Sequence, residues 1–203
     1  MVVFKKGFVF VFAWLCVFQN LFAQIVLDSV SLLNQRVYKN LTVALQNPDS
    51  VFILDLSKKK LKEFPADIFK LKNLQVLNLS RNEIKELPAE ISTLANLQKL
   101  NLSNNDLKSL PASMGDLSNL TFLGLNRNVI ESLPPEMGKL KNLEVLEMWD
   151  NELSEIPDEL KGMYNLREWE LRGILFTDEE QNRIRSLLPD ARIYLSPSCN
   201  CKN

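Results

Sequence analysis

One pattern returns every 23 residues through the middle of this 203-residue chain, and it limits the possible folds more than any other feature. Leu74, Leu77, Leu79, Asn82 and Ile84 state it; Leu97, Leu100, Leu102, Asn105 and Leu107 repeat it, as do Leu120, Leu123, Leu125, Asn128 and Ile130, and then Leu143, Leu146, Met148, Asn151 and Leu153. Looser copies flank these four, at Val51, Leu54, Leu56, Lys59 and Leu61 and at Leu166, Trp169, Leu171, Ile174 and Phe176. A fixed period of roughly 20–50 residues marks an array of stacked units. Within each unit the alternation of Leu77 and Leu79, or Leu54 and Leu56, is that of a short strand with one face buried. The Asn that follows marks a turn. A Pro then opens a segment suited to the first turn of a helix or 3₁₀ turn, with Asp67, Glu90, Glu136 and Glu159 placed where a helix dipole favours negative charge. A strand, a turn and one short helical segment cannot bury enough apolar surface to fold alone, so the units must stack.

The motif L-x-x-L-x-L-x-x-N-x-L resembles that of leucine-rich repeats. The rest of each unit, read at Phe64-Pro65-Ala-Asp-Ile68-Phe-Lys-Leu71, Leu87-Pro88-Ala-Glu-Ile91-Ser-Thr-Leu94 and Leu133-Pro134-Pro-Glu-Met137-Gly-Lys-Leu140, is similar to the L-P-x-x-I-x-x-L subclass found in Ras-binding scaffold proteins and in many bacterial surface proteins. The resemblance spans residues 51–176. It implies an α/β leucine-rich-repeat solenoid: a right-handed superhelix of six repeats, with a parallel concave sheet, short helices or 3₁₀ turns on the convex side, and caps at both ends.

The ends depart from the pattern. Lys5 and Lys6 precede an apolar run from Gly7 to Phe18, and Leu21-Phe22-Ala23 ends in a small residue, the layout of a secretory signal peptide over residues 1–23. Gln19 and Asn20 cut the run well short of the ~18 apolar residues a spanning helix needs. Cleavage before Gln24 would remove those two lysines, leaving 22 basic and 25 acidic residues from the original 24 and 25. Residues 24–50 read as an N-terminal helical cap, because Val30, Leu33, Val37, Leu41 and Ala44 or Leu45 fall at helical spacing and Asn40 can cap a final helix before Pro48. The entry from Asn40 to Ser57 is also similar to that of secreted bacterial leucine-rich-repeat proteins. Residues 177–203 read as a C-terminal cap helix and tail. Thr177-Asp-Glu-Glu180 forms a capping box, Ile184, Leu187 and Leu188 make one apolar face, Pro189 stops the helix, and residues 191–195 add a strand.

Several kinds of chemistry find no residues to carry them. A formal net charge of −1 supplies no basic face for nucleic acid. With no histidine there is no Ser-His or Cys-His pair, and no glycine-rich phosphate loop appears. Cys199 and Cys201, a disulfide or a free tail, are too few for a structural zinc site. No cofactor or metal is expected.

The side chains between and beside the strand leucines face away from the core and line the concave sheet. The first units place mostly small polar groups there. From Phe122 onward the surface gains aromatic and charged residues: Phe122, Arg127, Val145, Glu147, Trp149, Glu168, Glu170 and Arg172. Trp and Arg are enriched where interfaces draw their energy, which makes these eight the expected partner-binding residues. The expected function is that of a non-enzymatic, monomeric module that recognises a protein partner through its concave sheet. It would be secreted, periplasmic or on the cell surface, without a stable membrane span once the signal is removed. The rivals are an intracellular Ras-type signalling scaffold, and an enzyme acting on a polysaccharide through Glu147, Glu168 and Glu170.

Overall fold

A computed structural model describes residues 26–198. The expected signal segment and the Cys199/Cys201 pair lie outside them. Eight parallel strands run in sequence order through one open sheet: β1 (Val37–Tyr38), β2 (Ile53–Asp55), β3 (Val76–Asn78), β4 (Lys99–Asn101), β5 (Phe122–Gly124), β6 (Val145–Glu147), β7 (Glu168–Leu171) and β8 (Arg192–Leu195). Register steps by one repeat from strand to strand, so Leu54, Leu77, Leu100, Leu123, Leu146 and Trp169 stand side by side. The return segments are 3₁₀ turns: Ala66–Lys70, Ala89–Thr93, Ala112–Asp116, Pro135–Lys139 and Asp158–Gly162. The prolines Pro65, Pro88, Pro111, Pro134 and Pro157 sit one residue earlier than expected, at the cap position. Between sheet and turns runs one apolar core, in which the strand leucines of every unit are almost fully excluded from solvent.

The repeat asparagines explain why the period is strict. Each is buried at the corner after its strand, and each bonds backwards as well as locally. Asn105 accepts from Ile84 N–H at 3.1 Å and donates to the carbonyls of Leu79 at 3.1 Å and Leu102 at 2.9 Å. Asn128 does the same with Leu107, Leu102 and Leu125, and Asn151 with Ile130, Leu125 and Met148. Asn82 starts the series on Lys59, Leu61, Leu56 and Leu79. Every strand-end carbonyl from Leu79 to Leu125 thus receives two amides, one from its own unit and one from the next. The result is a continuous chain of hydrogen bonds that only a one-unit translation can continue.

A second series runs along the opposite edge. Asn73, Asn96, Asn119, Asn142 and Asn165, each just before its strand, donate to the carbonyls of Asp49, Lys72, Ala95, Ser118 and Lys141 about one repeat earlier, at 2.7–2.9 Å. One further feature recurs in each unit. Lys58, Arg81, Asn104, Arg127, Asp150 and Gly173 all take a left-handed backbone, with φ between 53° and 82°. The N–H groups of the first five reach a carbonyl of the following unit, and that of Gly173 reaches the Ser196 hydroxyl at 2.8 Å. A non-glycine residue in this region costs on the order of 1 kcal/mol or more, and the array tolerates it because the turn must reverse there. On the convex side the turns come so close that a methyl group on Gly115 or Gly138 would overlap the carbonyl of Glu136 or Glu159.

The N-terminal segment is not the helical stretch that the spacing suggests. Two short helices, α1 (Ser29–Leu33) and α2 (Leu41–Ala44), are separated by β1, which pairs with β2. Leu33 is 85% exposed and Val37 45% exposed, while Leu32, Tyr38 and Ala44 are the buried residues. The helical spacing is therefore coincidental: pairing with the bare edge of β2 recovers ladder hydrogen bonds that a helix would leave unmade. Asn40 does cap α2, accepting from Val43 N–H at 3.2 Å.

At the other end, α3 (Asp178–Leu187) is capped by Thr177, whose hydroxyl accepts from Glu180 N–H at 3.2 Å. The reciprocal half of the capping box is replaced. The Glu180 carboxylate takes two bonds from Arg183, at 2.9 Å and 2.6 Å, and Arg183 also reaches Asp158 and the Ile156 carbonyl in the fifth unit. That guanidinium holds the Glu180 carboxyl below its ordinary value of 4.5. A depressed carboxyl contributes stability above its unfolded pKa and loses it as pH falls through the folded one. Glu180→Gln should therefore melt below wild type at neutral pH, and the gap should close on acidification below pH 4.5. A gap that persists at low pH would assign the effect to packing instead.

The amide chain gives a second expectation. Asn105→Ala removes the acceptor of Ile84 N–H, while Leu79 and Leu102 keep the donors Asn82 and Asn128. One orphaned buried N–H costs about 1–3 kcal/mol, or a fall in Tm of roughly 2 °C or more for a domain of this size. Lys108→Ala, at an exposed position three residues after Asn105, should leave Tm unchanged, and equal melting of the two variants would contradict the chain.

Candidate concave-face binding site

Two residues of each strand from β5 to β8 point to the concave side, and the register places them in rows. Phe122, Val145, Glu168 and Arg192 form one row; Gly124, Glu147, Glu170 and Tyr194 form the next. Trp149 and Arg172 continue the face just beyond the strand ends. Six of the eight residues expected from the sequence line one shallow cleft of about 230 Å³: Val145, Glu147, Trp149, Glu168, Glu170 and Arg172. Phe122 and Arg127 lie outside that lining. Phe122 is paired in register with Val145, and the Arg127 guanidinium lies 4.5 Å over the Trp149 ring.

The charged groups differ in how far they are committed. Arg172 grips Glu170 with two bonds, at 2.7 Å and 2.6 Å, and Glu170 also accepts from Arg172 N–H at 3.2 Å. The Glu170 carboxylate raises the Arg172 pKa further above its ordinary range. Glu147 accepts from Asn126 at 2.8 Å, and Asn126 in turn accepts from Trp149 N–H at 3.1 Å, which fixes the backbone beneath the indole. Arg127, 3.7 Å from Asp150, is held between that carboxylate and the ring. Glu168 is exposed and forms no ion pair among the described residues. Preset, half-buried aromatic and charged groups of this kind suit recognition at low ordering cost. They suit general acid–base work poorly, because two of the three carboxylates are already occupied by donors.

Sequence reasoning missed Tyr194. Its strand was foreseen, but its ring lines the cleft and sits 5.9 Å from the Arg172 guanidinium. The signal was available, since Tyr194 stands 24 residues after Glu170 and so continues that column into the cap. Arg127, expected to project from the concave face, occupies instead one of the left-handed corners, and its side chain folds back over Trp149. Among the described residues no cluster of acidic or cysteine side chains could hold a metal ion, and no helix is long and apolar enough to cross a membrane.

The sequence of residues 31–189 matches the model of a leucine-rich repeat region. The chain belongs to the leucine-rich-repeat family. Solved structures agree. A leucine-rich-repeat protein of Leptospira interrogans is 34% identical, with a TM-score of 0.64 over 81% of this chain and 49% of its own. An internalin of Listeria monocytogenes is 19% identical, with a TM-score of 0.64 over 79% of this chain and 46% of its own, and shows the fold alone. A plant peptide hormone receptor, RGFR1, solved in complex with RGF2, is 26% identical with a TM-score of 0.61 over 78% of this chain and 26% of its own. The chain thus spans about half the length of the two bacterial proteins or less. Among curated protein sequences none matches it significantly.

Proposed function

We propose that this protein is a non-enzymatic binding module of the bacterial envelope or extracellular space, and that it takes a protein partner on the concave face of its fourth to sixth repeats. The observation that carries this reading is the cleft itself. Val145, Glu147, Trp149, Glu168, Glu170, Arg172 and Tyr194 converge on an open face where the core has no use for them. Fixed aromatic rings beside arginines are the composition of an interface centre rather than of ordinary surface. The layout of residues 1–23 supports export, and the sequence kinship with a Leptospira leucine-rich-repeat protein supports a bacterial setting. Units one to three present mainly polar groups and supply the rim.

The test begins with the exported protein. A mature chain starting at Gln24 removes the intracellular scaffold reading, and retention of Met1 in the cytoplasm removes export. Trp149→Ala and Tyr194→Ala should each weaken partner binding by about 1–3 kcal/mol, with Tm unchanged, while Ser80→Ala on the polar half should bind as wild type. Calorimetric titration against a partner captured from envelope fractions measures both. Wild-type affinity in the two aromatic variants would move the site off this face. Hydrolysis of an envelope polysaccharide that survives in wild type but is lost in Glu147→Gln would favour the enzymatic rival instead.

A further inference from the structure

Charge is unevenly spread along the array. Residues 26–108 carry 12 lysines and arginines against 9 carboxylates, and residues 109–198 carry 9 against 16. The concave cleft therefore lies in a half of net charge −7, preceded by a half of net charge +3. At the strand-entry edge the charges are settled internally. A groove of about 500 Å³ runs there past Thr121, Glu144 and Arg167. Its near end holds the Leu27 backbone between the Gln75 and Gln98 side chains, and Glu144 is paired with Arg167 at 3.6 Å.

The concave cleft is left unsettled. Its arginines are committed: Arg172 to Glu170, whose side chain is only 15% exposed, and Arg127 to Asp150 and the Trp149 ring. Two of its carboxylates have no cation among the described residues. Glu147 accepts from the neutral amide of Asn126, and Glu168 forms no ion pair even with Arg192, its register neighbour on β8. Both flank Val145, which pairs in register with Glu168 and stands two residues before Glu147 on the same face of β6. A strand spacing of about 4.8 Å and two residues of about 3.3 Å rise put the two glutamates about 8 Å apart at the backbone. A protein that docks here strips water from both. Unpaired, they would oppose docking; met by cations, the same charges favour it.

We infer that the cleft selects a basic, extended segment of its partner. Alternate side chains of such a segment share one face about 6–7 Å apart, so two lysines or arginines at positions i and i+2 reach Glu147 and Glu168 while the chain between them crosses Val145. The negative half of the array steers such a segment in and turns an acidic one away.

This inference rests on the concave-face reading, and a defined probe separates the two. The probe is a dye-labelled, end-blocked peptide of alternating lysine and valine, titrated by fluorescence anisotropy against the full protein, beside a counterpart of alternating glutamate and valine. The basic peptide should bind saturably, less tightly as salt rises, and the acidic one should not bind. Glu147→Gln combined with Glu168→Gln should weaken the basic peptide about tenfold or more with Tm unchanged, because the amide still offers Asn126 an acceptor. Glu155→Gln combined with Glu159→Gln removes the same charge from exposed positions outside the cleft and should bind as wild type. No saturable binding, equal binding of the acidic peptide, undiminished binding in the cleft pair, or an equal loss in the control pair would overturn the inference. If Trp149→Ala and Tyr194→Ala weaken the captured partner while the peptide ignores the cleft pair, only the charge assignment falls; if they leave that partner untouched, the concave-face reading falls and takes this inference with it.

Discussion

The whole architecture depends on satisfying the backbone at one corner. When the chain leaves a strand and turns away from the sheet, its carbonyls and the N–H groups of the next segment lose their ladder partners in a place that the stacked leucines have made dry. Asn82, Asn105, Asn128 and Asn151 solve this with one side chain each, because an amide offers both an acceptor and two donors on a short stem. Since each amide must reach its own strand end and the one before it, the solution works only if units are related by a fixed step. The leucine spacing supplies the apolar surface, but the amide chain sets the register. A slip of one residue would take every amide from its two carbonyls while burying polar side chains against the leucines.

An array held by nearest-neighbour bonds has a problem at each end, where the last unit finds no neighbour. The two ends are closed by different means. At the first repeat a short strand, β1, extends the sheet, and α2 packs onto the core through its own Ala44, a residue small enough to be fully buried there. At the sixth, Ile174 stands where the amide chain would continue, and the Trp169 indole fills a leucine position at the cost of a buried N–H without a hydrogen-bond partner among the described residues. The helix α3 and β8 then take over. Arg183 ties that helix to Asp158 and Ile156, so a charged side chain performs the bridging that an asparagine performs inside the array.

Most of the fold was legible because periodicity is a statement about translation, and translation is what the sequence repeats. The core leucines, the corner asparagines, the 3₁₀ segments and the strand after Pro189 all follow from residue types at fixed spacing. What escaped was written in geometry between units. The left-handed corners are one instance: Lys58, Arg81 and Arg127 give no hint of positive φ, and only Asn104, Asp150 and Gly173 in the same column do. The backward reach of Asn73 and its equivalents is another, since a turn-forming asparagine looks the same whether it bonds its own turn or the neighbour's. The N-terminal segment misled for a related reason. Val30, Leu33 and Val37 fit a helical period, yet an open sheet edge nearby offered Val37 and Tyr38 hydrogen bonds that no local pattern announces.

The concave cleft was half legible for the same cause. Columns read from the sequence assigned Val145, Glu147, Trp149, Glu168, Glu170 and Arg172 to one face, and stacking at about 4.8 Å per strand makes neighbours of residues that are 23 apart. Carrying the column one strand further, into a segment without the repeat, would have added Tyr194. The same stacking also joins the two recesses. Glu144 lines the strand-entry groove and Val145, its neighbour in the chain, lines the cleft, with their backbones fixed by the shared ladder bonds of both N–H groups to Thr121. A solenoid has no interior cavity in which to build a site, so its specificity must come from columns on its faces. Two adjacent columns of one short strand can serve two different surfaces, because the pleat and the strand entry turn them apart at no cost to the leucines between.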